Sequence, residues 1–73
     1  MNFSDALTVL KAGKTVTRKG WNGKELSLNL VPDEDCCNGM WIGFYKDNKL
    51  ICPWTASQSD LLGDDWEMFD ALF

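Results

Sequence analysis

A chain of 73 residues that includes four Trp, four Phe and one Tyr has room for one domain, residues 1–73, and at this size buries only about 60% of the surface its unfolded form exposes. Seven Lys or Arg against eleven Asp or Glu leave a net charge of −4, which excludes the broad cationic field on which non-specific binding to duplex nucleic acid rests. With no histidine, no C-x-x-C pair among three cysteines and no apolar run of about 20 residues, the sequence also excludes a zinc site of the usual spacing and a membrane span.

In chain order, Phe3, Ala6, Leu7 and Leu10 repeat at i, i+3, i+4 and i+7, which predicts a helix with Ser4 as N-cap, Asp5 in its first turn and Gly13 as its stop. Thr15-Val16-Thr17-Arg18 is β-branched and alternating, a strand, and Gly20 and Asn22-Gly23 mark a turn around Trp21. Leu26, Leu28 and Leu30 alternate with Ser27 and Asn29 as a strand with one buried face, ended by Pro32. Residues 33–39 carry three successive acids and read as a solvated loop. Residues 40–45 and 50–52, joined by Lys46-Asp47-Asn48-Lys49, form a β-hairpin, with Pro53 at the strand end. Ser57 or Ser59 caps a single helical turn through Leu61-Leu62 to Gly63. Residues 64–69 return as a short strand, with a terminal helix through Leu72 as the alternative. The sum is an α+β fold: an N-terminal helix packed on a small antiparallel sheet, with a short helical turn before the last strand.

A small core needs a supplement to be stable, and the cysteines do not supply it. Adjacent Cys36 and Cys37 pair only by straining the backbone, and Cys52 leaves the set odd, so the thiols are expected reduced and the compartment cytoplasmic. The start of the chain carries no basic segment ahead of an apolar stretch, as a secretory leader would. Aromatic packing is the supplement present. Four tryptophans exceed what one small core uses, so some of Trp21, Trp41, Trp54 and Trp66 are expected at a subunit interface or in a cleft.

Charge is uneven along the chain. Residues 1–32 carry five cations and two acids, a net of +3, and residues 33–73 carry two cations and nine acids, a net of −7. Lys14, Arg18, Lys19 and Lys24 beside Trp21 can hold one or two phosphates, or equally protect a strand edge from aggregation. The abundant acids fall in runs that look solvated, no base stands ready to activate a cysteine, and neither G-x-x-x-x-G-K-[ST] nor G-x-G-x-x-G occurs. An enzyme is therefore the disfavoured class, with neither metal nor cofactor expected. What the sequence offers is recognition chemistry: Arg18, Trp21 and Asn22 at one strand end, and Trp54, Ser57, Gln58 and Asp60 after another. Aromatic planes stack bases, amides and hydroxyls read edges, a cation holds phosphate and an aspartate accepts from ribose hydroxyls. Each has a plainer role as well, with Ser57 and Asp60 as helix-start residues, Gln58 as a surface side chain, Asn22 as half of an Asn-Gly turn, and either Trp as a core plug.

Three segments, Phe3-Ser4-Asp5-Ala6-Leu7 through Lys11-Ala12-Gly13-Lys14, then Arg18-Lys19-Gly20-Trp21-Asn22-Gly23, and finally residues 53–67 from Pro53-Trp54-Thr55-Ala56-Ser57-Gln58-Ser59-Asp60 to Asp64-Asp65-Trp66-Glu67, together resemble the Thoeris anti-defence "sponge" proteins of the second type. The resemblance covers nearly the whole chain, and the last segment is its most specific part. It implies a non-catalytic phage or prophage protein that binds and sequesters a cyclic ADP-ribose isomer made by a TIR-domain immune enzyme, and in some relatives a cyclic di- or trinucleotide. It also implies a homotetramer with pockets between protomers. Carried over by motif position, Trp21 and Trp54 stack on or shape the pocket, Arg18 and Asn22 meet phosphate or ribose, and Ser57, Gln58 and Asp60 give polar recognition. The sequence departs from the family at residues 32–39, brief and acidic where relatives carry a longer, proline-rich excursion. Two other classes compete: an interaction module that inhibits a host protein directly, and a phosphodiesterase-like enzyme with a metal held among Asp60, Asp64 and Asp65.

Overall fold

The computed structural model describes residues 1–21, 25–36 and 38–69, and its elements follow the alternation of apolar and polar residues closely. They are helix α1 (Phe3–Lys11), strand β1 (Val16–Arg18), a single 3-10 turn (Lys19–Trp21), strands β2 (Leu26–Pro32), β3 (Met40–Lys46) and β4 (Lys49–Pro53), helix α2 (Gln58–Leu62) and strand β5 (Trp66–Met68). The five strands form one antiparallel sheet in the order β4-β3-β2-β1-β5. The fold is α+β, with α1 laid on one face of the sheet and α2 standing just before the last strand.

The N-cap of α1 is Asn2 and not Ser4: Asn2 Oδ1 accepts from the Asp5 amide at 2.9 Å. Starting the helix two residues earlier brings Phe3 into the first turn, where its ring meets Trp54 and Trp66 at centroid distances of 5.7 and 5.4 Å. Ser4 is thereby inside the helix, its carbonyl accepting from the Thr8 hydroxyl. The chain leaves α1 through Gly13, whose φ of +87° a side chain would resist.

Leu28 faces Val16 of β1 on one side and Phe44 of β3 on the other, so the alternation of β2 sets the buried face. Ala6 and Leu10 of α1 close over Val16, Leu28 and Trp66, and these five residues are the buried apolar core. The β3–β4 turn uses Asp47 and Asn48, both left-handed at φ 50° and 67°, the two residue types that tolerate this conformation best after glycine. A register shift opposite Phe44 and Tyr45 displaces Ile51, which is 58% exposed on the edge strand. On the far face of the sheet, the Val31, Tyr45 and Leu50 side chains converge over Gly43, where an added Cβ would lie 2.8 to 3.1 Å from each.

The acidic connection is less solvated than its composition predicts. Asp33 is half-buried, accepting from the Asp35 amide and from the Trp41 indole at 3.1 Å, and the Cys36 thiol donates to the Met40 carbonyl. Cys37 and residues 70–73 lie outside the described residues, and over Trp66–Met68 the chain is the strand and not the alternative terminal helix. β5 pairs with β1 in the register Arg18↔Trp66, Thr17↔Glu67 and Val16↔Met68. Among the described residues, no helix is long and apolar enough to cross a membrane.

Candidate functional site

The tryptophans divide by position. Trp66, 2% exposed, stands at the centre of the core, with Phe3, Trp21 and Trp54 around it at 5.4, 5.4 and 5.9 Å. Trp21 and Trp54 both meet it edge-to-face, an arrangement the ring quadrupoles favour. Both are half-buried, and their free surfaces open onto a cleft of about 330 Å³ that is also lined by Phe44, Cys52, Pro53 and Asp60. Trp41 is elsewhere, paired with Val31 on the other face of the sheet.

Local sequence positions the Asp60 side of this cleft. Ser57 caps α2 in a reciprocal box: its hydroxyl accepts from the Asp60 amide at 3.1 Å, while Asp60 Oδ2 accepts from the Ser57 amide at 2.9 Å. The Asp60 carbonyl accepts from the buried Trp66 indole at 2.9 Å, tying α2 to the core. Its remaining oxygen, Oδ1, accepts from Arg18 Nη1 at 2.8 Å.

Arg18 is also held by a second carboxylate, its Nε donating to Asp65 Oδ1 at 2.8 Å, and its guanidinium carbon sits 5.8 Å from the centre of the Trp66 ring. Asp65 and then Asp60 push the guanidinium pKa further up. Burial alone would raise the Asp60 pKa, but the Ser57 amide, Arg18 and the Ser57 hydroxyl together outweigh it and hold the carboxyl below the ordinary aspartate value. Asp65 is likewise lowered, first by its hydrogen bond to Arg18 and then by the Gly20 amide.

Of the residues singled out from sequence, the fold brings Trp21, Trp54 and Asp60 together on the cleft. Arg18 stands behind Asp60 and lines a separate recess of about 280 Å³ with Thr17, Lys19 and Glu67 on the far side of Trp21. Ser57 and Gln58 are exposed at the start of α2, outside the cleft lining. Asn22 lies outside the described residues. Sequence reasoning missed Phe44, Cys52 and Pro53 as cleft residues, although the alternation of the β-hairpin was a signal that could have placed Phe44 and Cys52 on one face. Asp65 entered the sequence reading only as a possible metal carboxylate with Asp60 and Asp64, and its pairing with Arg18 had no local signal. Among the described residues, no three Asp, Glu or Cys side chains are grouped as a metal site.

Residues 1–69 match the family model of the Thoeris anti-defense 2-like domain. The chain is similar to Thoeris anti-defense 2 of Bacillus phage SP01, 36% identical over 84 residues that cover 93% of each chain. An aligned length greater than the 73 residues of this chain means that the phage protein carries extra residues within the aligned region.

Proposed function

The chain belongs to the Thoeris anti-defense 2-like family, and from that premise we propose that it counters Thoeris defence by binding and sequestering a cyclic nucleotide signal, a cyclic ADP-ribose isomer or a cyclic oligonucleotide, without cleaving it. The observation that carries this reading is the cleft with Trp21 and Trp54 on its walls and the Asp60 carboxylate beside them. An aromatic wall gives a base a stacking surface, and a carboxylate accepts from ribose hydroxyls. Both walls rest edge-to-face on one buried tryptophan, so they are held before the ligand arrives, which lowers the entropic cost of tight binding.

A cleft of about 330 Å³ lies at the low end of the roughly 300–1,000 Å³ that encloses drug-sized ligands. A second protomer closing over it, in a homotetramer with pockets between protomers, would supply the rest of the enclosure. The protein would act in the host bacterial cytoplasm, where the signal is made. Ser57 and Gln58, exposed at the start of α2, would give polar recognition at its rim.

The test is a thermal shift of the purified protein against cyclic ADP-ribose isomers, cyclic dinucleotides and cyclic trinucleotides, with mass spectrometry of the ligand recovered after denaturation. A ligand at 100 times its Kd adds about 2.7 kcal/mol, several degrees in a domain of this size. Stabilisation with the ligand recovered intact is expected. Chemical conversion would refute sequestration, and the absence of any shift, with a stoichiometric host protein captured instead, would favour direct inhibition of a host protein.

A further inference from the structure

We propose that Asp65 is the positioning residue of the cleft, and that Arg18 orients Asp60 and Trp21 instead of taking a phosphate. The proposal rests on the cleft being the nucleotide site. Asp65 makes three contacts to the segment that carries Trp21: Oδ1 accepts from Arg18 Nε at 2.8 Å, Oδ2 from the Gly20 amide at 3.0 Å, and its main-chain carbonyl from the Lys19 amide at 3.1 Å. Two successive amides of the 3-10 turn and the side chain just before it are thus fastened to one residue, and Trp21 is the next residue along the chain.

Two of the three Arg18 nitrogens are committed to carboxylates: Nε donates to Asp65 and Nη1 to Asp60, while Nη2 lies beside Gly63. The side chain is 15% exposed. Two carboxylates around one guanidinium leave a local charge of about −1, which repels a phosphate at that depth. Arg18 instead carries the constraint onward, from Asp65 to Asp60 Oδ1 at the cleft. It follows that the nucleoside portion of the ligand occupies the Trp21–Trp54–Asp60 cleft while its phosphates point outward, toward the mouth.

The experiment compares wild type with Asp65→Asn, Arg18→Lys and, as a control, Asp64→Asn, an exposed neighbour. The first two substitutions keep a polar group at the site. The Asn amide satisfies only one of the two donors that Asp65 serves, and a Lys ammonium cannot reproduce the fork that spans two carboxylates. Each protein is titrated with the cyclic ADP-ribose isomer that most stabilises wild type, at two salt concentrations, and its near-ultraviolet circular dichroism is recorded as a signature of the Trp21–Trp66 packing.

Asp65→Asn and Arg18→Lys are both expected to weaken binding roughly tenfold or more, the equivalent of one charge-assisted hydrogen bond, and to change the near-ultraviolet spectrum in the same way. Asp64→Asn should match wild type in both. If Arg18 instead held a phosphate, Lys would substitute as a point charge, so retained affinity in Arg18→Lys overturns the proposal. Wild-type affinity in Asp65→Asn does so equally. Should wild type bind none of the probes, the nucleotide reading fails by itself. The spectrum then decides the positioning role: an unchanged signature in Asp65→Asn refutes it.

Discussion

Replacing Trp66 by Phe tests whether one indole N–H holds α2 to the core. The bond from Trp66 Nε1 to the Asp60 carbonyl is 2.9 Å long and buried, and the ring around it is 2% exposed. Removing the donor leaves a buried carbonyl without its partner, which costs about 1–3 kcal/mol. The smaller ring leaves a void among Phe3, Trp21 and Trp54 worth about 1 kcal/mol more. A total of about 2–4 kcal/mol stands against a folding free energy of roughly 4–11 kcal/mol for 73 residues. At about 4–8 °C per kcal/mol, Tm should fall by roughly 8–32 °C. Thermal denaturation followed by far-ultraviolet circular dichroism, on ligand-free proteins at equal concentration, reads this directly. Trp41→Phe is the internal comparison, because its indole bond to Asp33 is only partly buried and should be worth about 1 kcal/mol or less. A Trp66→Phe protein melting within about 4 °C of wild type, or no lower than Trp41→Phe, would refute the reasoning.

Gly63→Ala should destabilise the protein by about 1–3 kcal/mol in urea titration, since its Cβ would meet Arg18 Nη2 at 2.8 Å, the Ser59 carbonyl at 2.9 Å and Asp65 Oδ1 at 3.0 Å; a cost below about 0.5 kcal/mol would mean that the Arg18 pairing shifts freely. Asp60 and Asp65 titrate below their unfolded values, so their contribution is complete above the unfolded carboxylate pKa of about 3.9 and is lost as pH falls through the lower folded values. Calorimetry should show Tm dropping below about pH 4, and less steeply in Asp60→Asn; an equal slope in that variant would exclude Asp60 as a source of the acid sensitivity.

Elements specified by neighbouring residues were legible in the sequence. The leucine alternation marked β2, the Asp47-Asn48 pair marked the hairpin, and Ser57 with Asp60 three residues on marked the start of α2. The first helix was read correctly in kind but two residues late at its start, because Asn2 and Ser4 are both good caps and only the packing of Phe3 on Trp54 and Trp66 chooses between them. Composition showed a surplus of tryptophan without saying which one is core, a matter decided by the docking of β5 on β1. The pairing of Arg18 with Asp65 was the least legible feature. It joins residues 47 apart, and Asp64-Asp65 looks the same in sequence whether or not a guanidinium is waiting on another strand.

The pairing of β5 with β1 also has a consequence in time. Strands β2, β3 and β4 are successive hairpin neighbours and bring together residues close in sequence, whereas Arg18 must wait for Asp60 and Asp65 at separations of 42 and 47 residues. Loops of that length close late, and topologies rich in such contacts fold on the millisecond-to-second scale. A nascent chain that ends before Asp65 lacks both that residue and Trp66, and hence has no held Trp21 and no finished cleft. The cleft is completed by the arrival and docking of the final strand, after Trp21 itself has been synthesised.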